Sequence, residues 1–265
     1  QLAAGHDSCP VPFARASLDL LMRRGFSPDE ALRYFAMFFQ LRRAFYFIND
    51  NLTGAAPCMC ALRERLWNAT FTHDIRWYDR CLWNRMEDFS TLLLGETGTG
   101  KGTAAAAIGR SGFIPFHQPS ARFAESFTAS FVAINLSQFP ESLIESELFG
   151  HCKGAFTGAI AAHDGIFARC SRHGAIFLDE IGDVSIPVQI KLLHVLQERV
   201  FSPVGSHLSL RFEGRVIAAT NHPLDELRRA QRFRDDFYYR LCSDVITVPP
   251  LRQRIAEHPA ELDLL

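Results

Sequence analysis

The sequence predicts an α/β fold: a parallel sheet of five strands flanked by helices and preceded by a small helical segment. Two observations predict it. From residue 90 onward, five short apolar runs, "TLLLGE", "SFVAINL", "GAIFLDE", "RVIAAT" and "VITVPP", alternate with helix-like stretches. Turn residues or charges bound each run, as expected of strands covered on both faces by crossover helices. The first run then enters a glycine-rich turn followed by a second helix-like stretch, the order of a phosphate-binding loop.

The elements follow in order. Residues 1–16 carry Pro, Ala and Ser without periodicity and read as loose. "ASLDLLMRRG" reads as a short helix with Ser17 as its cap and Gly25 past its end. In "SPDEALRYFAMFFQLRRAFYFIND", Ser27, Pro28 and Glu30 form a capping box, and Leu32, Phe35 and Phe39 follow at helical spacing. Paired, the two helices make a hairpin or linker region over 1–50. It serves as a packing element or, alternatively, as a dimerisation or regulatory helix. The rest of the chain, 51–265, is read as the main domain.

Composition narrows the function. The 265 residues, 48% hydrophobic, suit one sizeable domain plus an appendage. A formal net charge of -1 supplies no basic field for DNA binding, and no apolar run is long enough to span a bilayer. No signal peptide is visible. The seven cysteines are odd in number, and the one close pair, Cys58 and Cys60, lacks a partner pair at zinc spacing. They read as reduced thiols of a cytoplasmic protein. The chain begins on Gln and ends on "AELDLL", and reads as a fragment of something longer.

The chemistry gathers where ligands bind such sheets, at the carboxyl ends of the strands. "GETGTGKGT" runs Gly95, Glu96, Thr97, Gly98, Thr99, Gly100, Lys101, Gly102, Thr103. Gly95, Gly100 and Lys101 have the G-x-x-x-x-G-K spacing, in which backbone N–H groups cradle phosphates and the lysine reaches the terminal ones. Gly102 replaces the hydroxyl residue that would hold Mg²⁺, so Thr103 or water substitutes, or magnesium binding weakens. Asp179 and Glu180 leave the end of a buried strand. Asp179 suits magnesium, and Glu180 suits polarisation of an attacking water. Asn221 ends another strand. Asn135 ends a third, as a turn cap or a polar group of the site. In "RFRDDFYYRL", Phe233, Phe237 and Leu241 recur every four residues as one face of a helix. Arg234 and Arg240 lie six positions apart and cannot both face one way from a regular helix. They read as solvated charges or as arginines reaching a neighbouring subunit's phosphate.

A last segment, "HCKGAFTGAIAAHDG", sets one aromatic among small residues. Nothing within Gly154-Ala155-Phe156-Thr157-Gly158-Ala159 can pack against Phe156, and the stretch is longer than a tight turn requires. By itself it reads as a flexible loop.

Taken together, "GETGTGKG", "ESELFGHCKGAFTGA", "GAIFLDEIGD", "RVIAATN" and "FRDDFYYRLCSDVITVPPLRQR" resemble the central domain of bacterial enhancer-binding proteins, AAA+ ATPases that activate RNA polymerase carrying sigma-54. The similarity covers roughly 51–257, and the GAFTGA hexapeptide is specific to that family. The resemblance implies ATP and Mg²⁺ as cofactors, a hexameric ring and sigma-54 RNA polymerase as partner. It implies that Lys101 binds phosphates and that Asp179 and Glu180 form the Walker B pair. It also implies that Asn135 holds Glu180 off its water, that Asn221 is the first sensor, and that Arg234 and Arg240 act in trans. Gly154 to Ala159 would touch sigma-54.

The chain departs from the family at residues 70–89 and 111–129, which read as insertions. It stops just after "PPLRQR", where the family continues into a helical lid, and neither that lid nor a helix-turn-helix for DNA is read in it, through truncation or natural loss. Two rivals stand beside an ATPase: an ATP-switched binding module with little turnover, favoured by Gly102 and the missing lid, and an AAA+ motor with another client.

Overall fold

The computed structural model describes residues 8–264. Eight helices matter to the site: α1 (Ala14–Arg23), α2 (Pro28–Ala44), α3 (Pro57–Phe71), α4 (Lys101–Gly109), α5 (Glu141–Phe149), α6 (Ile186–Glu198), α7 (Asp235–Leu241) and α8 (Leu251–Glu257). The sheet strands are β1 (Thr91–Leu94), β2 (Phe131–Asn135), β3 (Ala175–Asp179), β4 (Arg215–Thr220) and β5 (Asp244–Thr247). They lie in the order β2-β3-β4-β1-β5, with every neighbouring pair parallel. All five runs expected to be strands are strands.

Because side chains alternate along a strand, the sheet divides its core in two. Ile176, Leu178, Val216 and Ala218 face α5, α6 and α7 through Ile144, Leu148, Leu192 and Phe237. Phe177, Ile217 and Ala219 face α3 and α4 through Leu62, Leu66, Ala104 and Ile108. The α4 helix lies so near the sheet that a Cβ on Gly109 would sit 2.3 Å from the Phe131 ring, so only glycine fits there.

The N-terminal helices pair as expected, but α1 begins at Ala14, three residues before the proposed cap. The Ser17 N–H instead donates to the Phe13 carbonyl within the helix. The capping box at α2 forms as read: the Ser27 hydroxyl accepts from the Glu30 N–H and the Glu30 carboxylate accepts from the Ser27 N–H.

The hairpin docks on both segments read as insertions. Segment 111–129 folds into a small antiparallel ribbon, Phe116–His117 against Arg122–Phe123. Its Ile114, Phe116 and Phe123 share a cluster with Leu18, Phe35 and Ala36. The Phe35 ring centroid lies 4.8 Å from that of Phe116. Segment 70–89 delivers Tyr78, whose buried hydroxyl donates to Gln40 Oε1 at 2.8 Å, and Asp79, which pairs with Arg33 at 3.4 Å. Farther along, Met37, Ala44, Phe47 and Ile48 join the α3–α4 face of the core.

The last described turn is tied back as well. Glu261 is fully buried, accepts from the Ala55 and Ala56 N–H groups at the start of α3, and pairs with Arg254 at 2.5 Å. Those bonds satisfy N–H groups that a helix start otherwise leaves open.

Candidate nucleotide site and the GAFTGA loop

Gly95 to Gly100 link β1 to α4. Gly98 and Gly100 have φ of 81° and 95°, the left-handed region that glycine enters without strain. Lys101 is 6% exposed, and its Nζ donates to the carbonyls of Gly95 (2.9 Å) and Glu96 (3.1 Å). Its ammonium is thus held at the loop's inner edge. Glu96 pairs with Arg252 of α8 at 2.5 Å, and that hydrogen bond holds its carboxyl below the usual range. Gly102 and Thr103 are both exposed. A Cβ at Gly102 would meet only the Phe177 ring, at 3.9 Å, so packing does not demand glycine there.

Asp179 ends β3 beside this loop. Burial raises its pKa, opposed by the Glu180 N–H, which donates to Asp179 Oδ1 at 3.1 Å, and by the charge of Lys101. Glu180 has φ 57°, a left-handed backbone that costs a non-glycine residue about 1–3 kcal/mol. The turn aims its carboxylate at β4, where Glu180 Oε2 accepts from the Asn221 N–H at 3.3 Å. The Asn221 side chain in turn donates to Thr97 Oγ1 at 2.9 Å. One chain of bonds therefore joins the phosphate loop, the end of β4 and Glu180.

Asn135 departs from expectation. The resemblance placed it against Glu180, but register pairs Asn135 with Asp179, and its Nδ2 lies 3.4 Å from Asp179 Oδ2. Its Oδ1 accepts from the N–H and hydroxyl of Ser137, the turn-capping role also considered for it.

The two arginines are arranged differently from a regular helix. Phe233, Phe237 and Leu241 are buried on one face as read, but Arg234 precedes α7 at its N-cap with ψ 138°. The angle between positions six apart on an ideal helix therefore does not apply. Arg234 makes a two-point pair with Asp236, and Arg240 donates to the Leu196 carbonyl at 3.0 and 2.6 Å.

The GAFTGA segment stands on a stem. His151 and His163 exchange both backbone bonds at 3.0 Å, and the Cys152 N–H donates to the Val204 carbonyl. The Ser146 hydroxyl lies 2.7 Å from His151 Nδ1. The Gly154 N–H closes the tip on the Ala159 carbonyl at 2.8 Å, with Gly154 and Gly158 at φ 82° and 100°. Phe156 is 38% exposed and, with nothing inside the hexapeptide to pack on, meets the ring of His151 outside it edge-on at 4.9 Å. Ala159 is buried.

Sequence reasoning missed Ile160, 85% exposed just past the hexapeptide, and Arg252. An apolar residue beside a small-residue loop was a usable signal for the first. None marks Arg252, which meets Glu96 across 156 positions.

Residues 78–247 match the sigma-54 interaction domain. The chain belongs to that family. The match covers more than half of the 265 residues. Among relatives of this sigma-54 interaction domain, the transcriptional regulatory protein GlrR of Escherichia coli K12 is 39% identical over 215 residues, 80% of this chain and 45% of its own length. The sigma54-dependent transcriptional activator SfnR of Pseudomonas putida is 48% identical over 165 residues, 62% of this chain and 42% of its own. The chain thus spans less than half the length of these relatives. NtrX from Brucella abortus, solved in complex with ATP, has the same fold at a TM-score of 0.62 and 20% identity, over 96% of this chain and 51% of that one. All seven cysteines are free, and no helix among the described residues is long and apolar enough to cross a membrane.

Proposed function

We propose that the chain is the ATP-hydrolysing module of a sigma-54-dependent transcriptional activator, drawn at 51–265 with the hairpin of 1–50 appended. It works in the cytoplasm as a hexameric ring and remodels sigma-54 RNA polymerase through residues 154–159. The observation that carries this reading is the chain Thr97–Asn221–Glu180 closing over the phosphate loop beside the buried Lys101.

The donor set fits nucleotide and magnesium. Two left-handed glycines turn the loop around a concavity for phosphate oxygens, with Lys101 to meet the terminal ones. No group of three or more His, Cys, Asp or Glu among the described residues could hold a metal by itself. That suits Mg²⁺, which is bound through one or two carboxylates plus phosphates and water, here with Asp179 as the protein ligand. Held there, the cation would supply neutralisation of phosphate charge. Asn135 steadies the Asp179 carboxylate. Glu180 takes a proton from the water that attacks the terminal phosphorus, while the bond to the bridging oxygen breaks and ADP leaves. Asn221 holds Glu180 through its backbone and the phosphate loop through its side chain, so it senses both. Arg234 and Arg240 serve the neighbouring subunit's site across the ring, where charge stabilisation is the main catalytic demand. Phe156 and Thr157 form the contact to sigma-54, an aromatic anchor with a hydroxyl beside it.

Glu180→Gln should bind ATP yet hydrolyse it at least ~10²-fold more slowly, the scale of a lost general base. Lys101→Ala should lose nucleotide binding itself. The absent side chain at Gly102 favours the second reading, an ATP-switched module with little turnover. Equal turnover in wild type and Glu180→Gln would remove the general-base assignment, and ATP binding without turnover in the wild type would establish the second reading.

A further inference from the structure

At the opposite end of the sheet from the phosphate loop lies a cavity of about 490 Å³. That is within the range of sites for small molecules, roughly 300–1,000 Å³. Its floor is where β3 and β4 begin, at Ala175 and Arg215. Its walls come from the two segments read as insertions: Trp83, Met86 and Glu87 on one side, Gly112 and Phe113 on the other. Trp83 and Phe113 meet edge-on at 4.8 Å and give it an apolar flank.

The charges of this cavity do not balance. Four guanidiniums line it, from Arg172, Arg199, Arg211 and Arg215, against three carboxylates, from Glu87, Asp88 and Glu213. Glu213 is shared by Arg172 at 3.7 Å and Arg211 at 3.5 Å, both long contacts. Arg199 pairs with Asp88 at 3.3 Å. Arg215 is buried with no ion pair among the described residues. Its donors go to the Phe89 and Ala69 carbonyls and the Thr91 hydroxyl, and burial lowers its pKa to about 10. Glu87, the remaining acid, is pushed toward its neutral form by burial. Arg199 and Arg215 are thus tied down, and the guanidiniums open to a ligand are those of Arg172 and Arg211, both largely exposed and held only at long range by one carboxylate beside a partly apolar space. Guanidinium is the side chain that recognises carboxylate and phosphate oxygens in pairs.

We propose that this cavity binds a small organic anion with an apolar body, its charged group competing with Glu213 for the Arg172 and Arg211 guanidiniums, which Glu213 holds only at 3.7 and 3.5 Å, and its body against Trp83 and Phe113. Occupancy has a short route to the ring interface. The wall at Glu87 and Asp88 runs two residues on to Ser90, whose hydroxyl donates to the carbonyls of Arg240 and Leu241 at the end of α7. A bound ligand would thus lie behind the helix that carries Arg240, and any effect on the ring rests on the trans role proposed above for that residue. The binding itself does not depend on ATP hydrolysis.

The test titrates hexanoate and hexyl phosphate, with hexan-1-ol as the uncharged control, and follows the Trp83 indole resonance together with the thermal midpoint. At least one anion should shift the resonance saturably with Kd near ~1 mM, about 4 kcal/mol of binding, and raise the midpoint. Hexan-1-ol should do neither. A response to only one anion tells carboxylate from phosphate. The Arg172→Gln/Arg211→Gln variant should bind the anions at least ~10-fold more weakly. Gly112→Met should block binding while keeping the native circular dichroism, since a Cβ there meets nothing nearer than 3.5 Å. Should Gly112→Met fail to fold, the exposed arginine pair decides alone. No saturable shift with either anion, an equal response to hexan-1-ol, or unchanged affinity in the arginine variant overturns the proposal.

Discussion

The two ends of the parallel sheet are held by different physics. At the carboxyl ends of the strands, the residues are small or polar, backbones enter the left-handed region, and side chains bond to one another while half-exposed. Glu180, Asn221 and Thr97 are joined there by bonds of 3.3 and 2.9 Å. At the amino ends, the hairpin and segment 111–129 interlock through buried rings, with Phe35, Phe116 and Phe123 within 6.4 Å of one another, centroid to centroid. Polar bonds there, such as Tyr78 to Gln40, are sealed inside. The difference teaches where substitution should cost activity and where it should cost stability. Burial of apolar area stabilises, whereas strained turns and open polar groups are what a reaction uses.

The comparison breaks most visibly if an arginine assigned to the reacting end proves structural. Arg234→Ala should slow hydrolysis by ~10³-fold or more, the scale of an arginine finger. Mixing Arg234→Ala subunits with Glu180→Gln subunits should restore turnover above the sum of the two, because one interface type then holds both intact groups. An ATPase assay on the mixed rings checks this. No recovery while rings still form removes the trans assignment.

At the other end, Phe35→Ala should lower stability by ~3–5 kcal/mol, the cost of emptying a well-packed aromatic site. Folded molecules should bind ATP as wild type does. Denaturant titration paired with nucleotide titration separates the two. A loss of ATP affinity without a loss of stability would erase the distinction between the ends.

Gly102→Ala sharpens it from inside the reacting end. Gly102 sits in the first turn of α4 with open space around a Cβ, so alanine should add up to ~1 kcal/mol of stability. Thermal unfolding measures the gain. A loss would mean that the phosphate loop needs glycine there for a reason packing does not reveal.

The smallest change in stability is expected at the loop tip. Phe156→Ala should alter stability by no more than ~0.5 kcal/mol, as for other exposed positions. ATP turnover should stay near wild type while stable binding to sigma-54 is lost. The contact with His151 makes this a sharp test, since a large fall in the thermal midpoint would mark Phe156 as part of the stem's packing.

Much of this protein was written locally. The five strand runs, the glycine turns before Lys101, the capping box at Ser27 and the apolar face of α7 each follow from residues within about ten positions of one another. Turn geometry, capping and side-chain period are short-range effects. Where the resemblance or the local reading went astray, a long-range contact decided. The resemblance set Asn135 against Glu180, but the pairing of β2 with β3 puts it opposite Asp179. The start of α1 moved to Ala14, where Ala14 and Leu18 fall on the buried side shared with Phe116 and Phe123. Glu261 caps α3 from 205 and 206 positions away, Arg252 finds Glu96 across 156, and residues 70–89 meet residues 111–129 around a charged cavity. Such meetings depend on sheet order and on which faces remain uncovered once the strands have paired. No local pattern carries that information, because it exists only when the whole chain has closed on itself.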